Sequence, residues 1–331
     1  MMEEILPQLY RIIVPLPRNP LKEVNSWVFT TEDRNLIIDT GMNRKECSEV
    51  LLAGLEELGV DLEKTDFIVT HLHADHLGLV SSLARENATI YMGRLDASMM
   101  ESGGGWHRMT DFARRGGFPE EELQAAISNH PGYKYGPQQK MEFTYVGDGE
   151  IIQIGDYSLE CVETPGHSQG HICLYDQEKK ILFSGDHILI DITPNIQCWS
   201  HEEDTLRQYI ESLNKVNKLP MELVLPGHRR IIEDPRGRIE ELKTHHRNRC
   251  NEVLSILEEG DKNAYQVASK MTWDITYKTW DEFPVSQKWF ATGEANAHLV
   301  FLEGKDLIKH ETRNVLDIYS VNGKARLESV D

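Results

Sequence analysis

The stretch Phe67-Ile68-Val69-Thr70-His71-Leu72-His73-Ala74-Asp75-His76 decides the reading of this chain. Its first four residues form a short apolar, β-branched run of the kind that makes a buried strand. The strand signal runs straight into four ligand-type side chains within six residues. Borderline-soft Zn²⁺ takes neutral imidazole nitrogens and carboxylate oxygens well. In extended or looping backbone, residues two apart project to one side, so His71 and His73 can grip one ion. Asp75 and His76 lie just beyond, where the chain turns into a helix over His76 to Arg85, and can face a second. A lone histidine is more often a core residue satisfied by a hydrogen bond, but that explanation fits three histidines and an aspartate poorly.

Three later triplets share one character, a ligand-type residue beside glycine at a β end: Pro165-Gly166-His167, Ser184-Gly185-Asp186 and Pro226-Gly227-His228. Glycine lets the backbone turn sharply and approach a crowded centre without a Cβ clash. Each triplet alone is a weak signal. Their ordered appearance after the 71–76 cluster makes the set strong.

Around these pieces the sequence predicts layered α/β architecture. Tyr10 to Val14, Ser26 to Thr30, Leu36 to Asp39 and Thr89 to Met92 are strand signals, and Arg44 to Leu58 carries apolar residues at helical spacing up to the stop at Gly59. Residues 143–186 read as β hairpins. A helix follows at Glu202 to Val216, then a strand at Leu223 to Leu225. Between 97 and 142 the pattern breaks into glycine- and proline-rich sequence with one or two helical pieces such as Glu120 to Ser128. Such a long irregular insertion is either a lid or substrate wall, or a peripheral elaboration. Beyond Pro235 the order is a long charged helix (Arg238 to Leu257), short helices at Ala264 to Met271 and Glu294 to Glu303, and two β runs. That is the order of a small winged-helix module. The expected domains are therefore 1–235 and 236–331.

The ordered set Asp39-Thr40-Gly41, His71-x-His73-x-Asp75-His76, His167, Asp186 and His228 resembles the five-motif signature of the metallo-β-lactamase superfamily, over about residues 5 to 235. The resemblance implies an αββα sandwich carrying two divalent metal ions at one edge. It implies that His71, His73 and His167 hold the first ion, that Asp75, His76 and His228 hold the second, and that Asp186 bridges. Asp39 matches a residue that supports ligands rather than binding, in keeping with the need to orient them. Zn²⁺ is the first choice; Fe and Mn suit the same donors. Asp186 in place of a thiolate resembles the hydrolase branch containing glyoxalase II, and the tail resembles the appendage of the beta-lactamase-like protein two group.

The implied chemistry is hydrolysis by a hydroxide shared between two Lewis acids, with Asp75 orienting the water and relaying its proton. A small thioester, lactone or other ester-like substrate is the first expectation, and a metal-dependent endoribonuclease or phosphodiesterase the alternative. A regulatory winged-helix protein ranks lower, because the run Glu294 to Glu303 offers no basic residue for a recognition helix. With a formal net charge of −19, the chain is a poor nucleic-acid binder and a poor match for anionic lipid. The five cysteines show no CxxC spacing and read as reduced thiols in a cytoplasmic protein. The opening MMEEILPQLY lacks the pattern of a signal peptide, and no apolar run reaches membrane-span length. The expected partner is a small-molecule substrate; a homodimer is left open.

Several residues have two readings. Ser168 is a tempting nucleophile but reads better as a structural turn hydroxyl. His187 faces either substrate or solvent. His107, Arg108, Arg114 and Arg115 meet an anionic substrate or belong to a solvated loop. His245 and His246 read as surface residues, and Trp273, Trp280 and Trp289 as core or interface.

Overall fold

Alternation along the strands explains how the layers assemble. In the strand holding Leu36, Ile37 and Ile38, and in its neighbour holding Phe67, Ile68 and Val69, successive side chains enter different clusters. Leu36, Ile38 and Ile68 join one apolar cluster, whereas Ile37, Phe67 and Val69 join the other. A strand buried on both faces reads as a continuous apolar run, as these do.

The computed structural model describes residues 2–103, 105–274, 276–323 and 326–331. The chain divides into two compact units. The first comprises Met1–Gly104, Pro131–Pro194 and Val216–Arg238; the second comprises Gly105–His130, Asn195–Lys215 and Ile239–Asp331.

In the first unit, β1 (Met2–Leu6), β2 (Leu9–Pro15), β3 (Glu23–Phe29), β4 (Asn35–Ile38), β5 (Thr65–Val69), β6 (Ile90–Gly93) and β7 (Thr144–Val146) form a seven-stranded sheet in sequential order. Pairing is antiparallel from β1 to β4 and parallel from β4 to β7. The second sheet takes β8 (Ile151–Ile154), β9 (Tyr157–Glu163), β10 (Ile172–Asp176), β11 (Ile181–Gly185) and β12 (Leu223–Pro226) in the order β12-β11-β10-β9-β8, with only β11 and β12 parallel. Trp27, Phe29, Ile38 and Ile68 of the first sheet meet Leu159, Leu174, Phe183 and Leu225 of the second, giving the inner core of a sandwich. On the other face of the first sheet, Val14, Val28 and Phe67 pack with Cys47, Leu51 and Leu55 of the helix Lys45–Glu57.

The continuous helix expected over 76–85 is instead two single turns, Ala74–Leu77 and Val80–Leu83. Gly78 separates them. A Cβ there would lie 2.6 Å from both the Asn43 amide nitrogen and the Tyr135 carbonyl oxygen, so two backbones abut at this point.

The second unit holds the helices Trp106–Arg115 and Glu120–Asn129, most of Thr205–Val216 and Pro235–Glu258, then Ala264–Lys270 and Val285–Gly304. The hairpin of β13 (Ile308–Arg313) and β14 (Leu316–Val321) follows. The tail thus has the expected element order, but it does not form this unit alone. Phe112, Phe118 and Leu123 share one apolar cluster with Trp199 and Trp289, which draws 105–130 and 195–215 into the unit. The stretch 97–142 is also largely helical rather than irregular. The helix at 264–270 begins with a reciprocal capping box between Asn263 and Gln266, which satisfies two otherwise orphaned backbone donors.

His246 corrects the surface reading: it is buried on the long helix against His298. Trp289 is fully buried and stacks on Trp199 at 4.3 Å, a core role. All five cysteines are buried and unbridged. Among the described residues, no helix is long and apolar enough to cross a membrane.

Candidate metal centre

The chain leaves β4 into Asp39, β5 into His71, β9 into His167, β11 into Asp186 and β12 into His228. Strand directions place these C-terminal ends at one edge of the sandwich, so side chains far apart in sequence converge. The structure brings all seven expected ligand residues together.

Three nitrogens form a tight triangle. His71 Nε2 lies 2.9 Å from His73 Nδ1 and 3.2 Å from His167 Nε2, and His167 Nε2 lies 3.0 Å from His73 Nδ1. A tetrahedral ion with bonds of about 2.0–2.1 Å would hold such nitrogens about 3.3 Å apart, close to these spacings. A second group is formed by Asp75, His76 and His228, whose ligand atoms lie within 4.8 Å of one another. Asp186 stands between the two groups. Its Oδ2 is 3.6 Å from His167 Nε2, while its Oδ1 is 3.4 Å from both His76 Nε2 and His228 Nε2. His76 Nε2, His228 Nε2 and Asp186 Oδ1 are buried and have no hydrogen-bond partner among the described residues. Buried polar atoms are nearly always satisfied, so three that converge on one point fit a cation there.

The outer nitrogens are held from behind. Asp39 Oδ2 meets His76 Nδ1 at 2.7 Å and accepts from Thr70 Oγ1 at 2.8 Å, while its Oδ1 accepts from the Thr70 amide at 2.9 Å. Thr70 Oγ1 is in turn 3.1 Å from His71 Nδ1, and His228 Nδ1 donates to the Glu23 carbonyl. Those contacts orient the rings and leave Nε2 of His71, His76 and His228 pointing inward. Asn25 fixes the last loop, donating through Nδ2 to the carbonyls of Pro226 and Arg229 at 2.9 Å each.

Electrostatics divide the site. Burial, then the neighbouring imidazoles, hold His71 well below its ordinary value, and burial with His167 lowers His73 to about 3. These rings stay neutral, the form that ligates. On the other side burial is outweighed by carboxylates: Asp39 and Asp186 raise His76 well above its usual value, and Asp186 and Asp75 raise His228 to about 10. Burial would push both acids up, but His228 and His76 hold Asp75 at about 2 and Asp186 well below the carboxylate range.

Sequence reasoning missed three supporting residues. Thr70 links Asp39 to His71. Buried His171 hydrogen-bonds Thr164 Oγ1 at 2.7 Å and accepts from the Asp186 amide at 3.2 Å. Asp96 is fully buried beside the ligand loops. Ser168 donates to Asp96 at 2.6 Å, which accords with the structural reading. His187 is fully buried, which removes the solvent-facing alternative.

In the second unit, Arg108 pairs with Glu203, Arg114 with Asp111 and Glu120, and Arg115 with Asp317. Another His/carboxylate group lies there, formed by His201, His310 and Asp317. Its carboxylate already accepts from Arg115 at 3.0 Å and Thr312 at 3.1 Å, so a guanidinium stands where a bound cation would.

Residues 20–228 match the family model of the metallo-beta-lactamase superfamily. The chain is 25% identical over 252 residues to the atrochrysone carboxyl ACP thioesterase of Aspergillus fumigatus, across 75% of this chain and 65% of that protein. It is 28% identical over 217 residues to the human acyl-coenzyme A thioesterase MBLAC2, across 62% and 72%. The crystal structure of a metallo-beta-lactamase family protein from Thermus thermophilus superposes with a TM-score of 0.81 at 26% identity, covering 96% of this chain and all (100%) of that one. The motifs, the two facing sheets and these likenesses agree: the chain belongs to the metallo-beta-lactamase superfamily.

Proposed function

We propose that this protein is a two-metal hydrolase of acyl thioesters, with His71, His73 and His167 holding one ion, Asp75, His76 and His228 the other, and Asp186 bridging. The observation that carries the reading is the Asp186 carboxylate, whose two oxygens face two different ligand groups. Zn²⁺ suits the donor set best, with Fe or Mn as alternatives. When bound, such a pair supplies Lewis acidity and a water ionised near neutral pH.

The residues do the rest. Thr70, Asp39 and the Glu23 carbonyl fix the imidazoles, so little reorganisation accompanies the reaction. Asp75 Oδ2, 3.5 Å from His228 Nε2, is the carboxylate that orients the attacking water and takes its proton. The water oxygen bonds to the acyl carbon, the C–S bond breaks, and the proton passes from Asp75 to the departing sulfur. The products are a carboxylic acid and a thiol.

The thioester preference is supported by the relatives named as coenzyme A and ACP thioesterases; lactones and oxygen esters are the neighbouring substrates. Nothing observed favours a nuclease: the net charge is −19. The test is a panel of acyl-coenzyme A thioesters, simple lactones, single-stranded RNA and a chromogenic phosphodiester, run with Zn²⁺-loaded protein. Released thiol is followed colorimetrically, lactone opening by acid release, RNA by gel and the phosphodiester by its chromophore. Thioester turnover abolished in His71→Ala supports the reading. Turnover of only the RNA or the phosphodiester, or none above the variant, overturns it.

A further inference from the structure

Asp96 lies in the first turn of the helix Arg94–Glu101, which follows β6 directly, and has no solvent exposure. Three donors converge on its carboxylate. Oδ2 accepts from the Leu72 amide at 2.9 Å and from Ser168 Oγ at 2.6 Å, and Oδ1 accepts from the Gly170 amide at 2.7 Å. Leu72 lies between His71 and His73; Ser168 follows His167. One side chain therefore ties together the two loops that carry the three-histidine triangle.

The surrounding backbone is shaped for this contact. A Cβ on Gly170 would lie 2.2 Å from the Asp96 nitrogen and 2.8 Å from the Asp96 Cβ, and one on Gly93 would lie 2.0 Å from the Gly170 carbonyl oxygen. The loop after His167 reaches Asp96 only because both positions lack a side chain. Asp39 performs a different task, since it grips His76 and Thr70.

We infer that Asp96 is a positioning residue: it sets the separation of the 71–73 and 167–170 loops, and so the affinity of the three-histidine site for its ion. This rests on the two-metal reading above, but the clamp itself exists in the metal-free chain. Burial costs the ionised carboxyl enough to raise Asp96 to about 6, against the pull of its three donors. The side chain is thus kept for these contacts at a cost to the fold. Asparagine, equal in size, must turn an NH₂ group toward either the Gly170 amide or the Leu72 and Ser168 donors, breaking one side of the clamp.

The experiment uses Asp96→Asn and Ser168→Ala in the full chain, with two readouts. Ion affinity is measured by competition with a chromophoric chelator. The proton NMR of the Co²⁺ form counts the shifted imidazole N–H signals at each site. In Asp96→Asn, the dissociation constant of the ion sharing three imidazoles rises about 10–100-fold, and that of the ion sharing two is unchanged. Ser168→Ala moves the same constant less. In metal-free protein, amide exchange of Leu72 and Gly170 quickens in Asp96→Asn, while exchange in β11 and β12 does not. Wild-type affinity with unchanged exchange, or equal weakening at both ions, overturns the inference. If the wild type takes up no ion, the two-metal reading fails, and amide exchange alone decides the clamp. If Asp96→Asn does not fold, Ser168→Ala gives both readouts.

Discussion

A Cβ atom on Gly227 would lie 2.6 Å from Asp186 Oδ1, well inside any allowed contact. The same atom would lie 2.8 Å from His76 Cε1. Gly227 therefore leaves room for the Asp186 carboxylate and the ring facing it. Replacing it with alanine should displace Asp186 or His76 while leaving the three-histidine triangle in place. On the proposed two-metal thioesterase reading, Gly227→Ala should bind one ion instead of two, by elemental analysis, and turn over thioester more slowly by on the order of 10²-fold, a penalty an ångström of misplacement can carry.

Asp39 offers a cleaner separation of chemistry from folding. Its backbone is left-handed, with φ of 59°, a conformation that asparagine tolerates as well as aspartate. Asp39→Asn should therefore fold. It will lose the charged acceptor that holds His76 Nδ1 and the Thr70 hydroxyl. Ion affinity should fall about 10–100-fold in chelator competition, with far-UV circular dichroism unchanged.

Loading the site with metal should expel protons. In the metal-free protein His228 is raised to about 10 by Asp186 and Asp75, so it carries a proton at pH 8 that an ion must displace. Calorimetric titrations in buffers of different ionisation enthalpy should report net proton release at pH 8. Apparent affinity should climb as pH rises toward 10. A titration with no proton release contradicts this assignment.

The second unit should respond to acid through His246 and His298. His298 Nδ1 donates to the Glu294 carbonyl at 2.8 Å, which leaves its Nε2 to accept from His246 Nδ1 at 3.2 Å. That pairing is the one two neutral rings make. Burial, with Arg249 next, lowers His298 to about 3, and burial lowers His246 as well. The folded value lies below the unfolded value of about 6.5, so this stability is present above pH 6.5 and lost as pH falls toward 3. His298 contributes a slope of up to about 1.4 kcal/mol per pH unit in that window, and His246 acts in the same direction. Urea unfolding followed by tryptophan fluorescence between pH 7 and 5 should show the slope reduced in His298→Gln.

The convergence of the seven candidate ligands was legible because most of them stand where an apolar run stops at a strand end, and the order of the stops carries information that no single triplet has. The supports were not legible. Asp96 is bound by two backbone amides and a hydroxyl, and the residues supplying them, Leu72, Ser168 and Gly170, bear no fixed spacing to it. His246 was misread for another reason. Ile239, Leu242, His246, Cys250, Val253 and Leu257 recur at helical spacing and are all buried, yet the many charges between them made the helix look solvated on every side. That periodicity was the available signal. The first half of the helix Val285–Gly304 and the whole of Trp106–Arg115 were hidden by flanking glycines and prolines, and tertiary packing around Trp289 holds them in place.

Because the donors hang from strands of both sheets, the full set of seven comes together only after the chain has reached His228. A ribosome that has released His71 through Asp186 has still not delivered His228, and the parallel pairing of β11 with β12 waits on the same segment. On the two-metal reading, the three-histidine group is complete once His167 has been made, whereas the group of Asp75, His76 and His228 waits for the last strand of the second sheet.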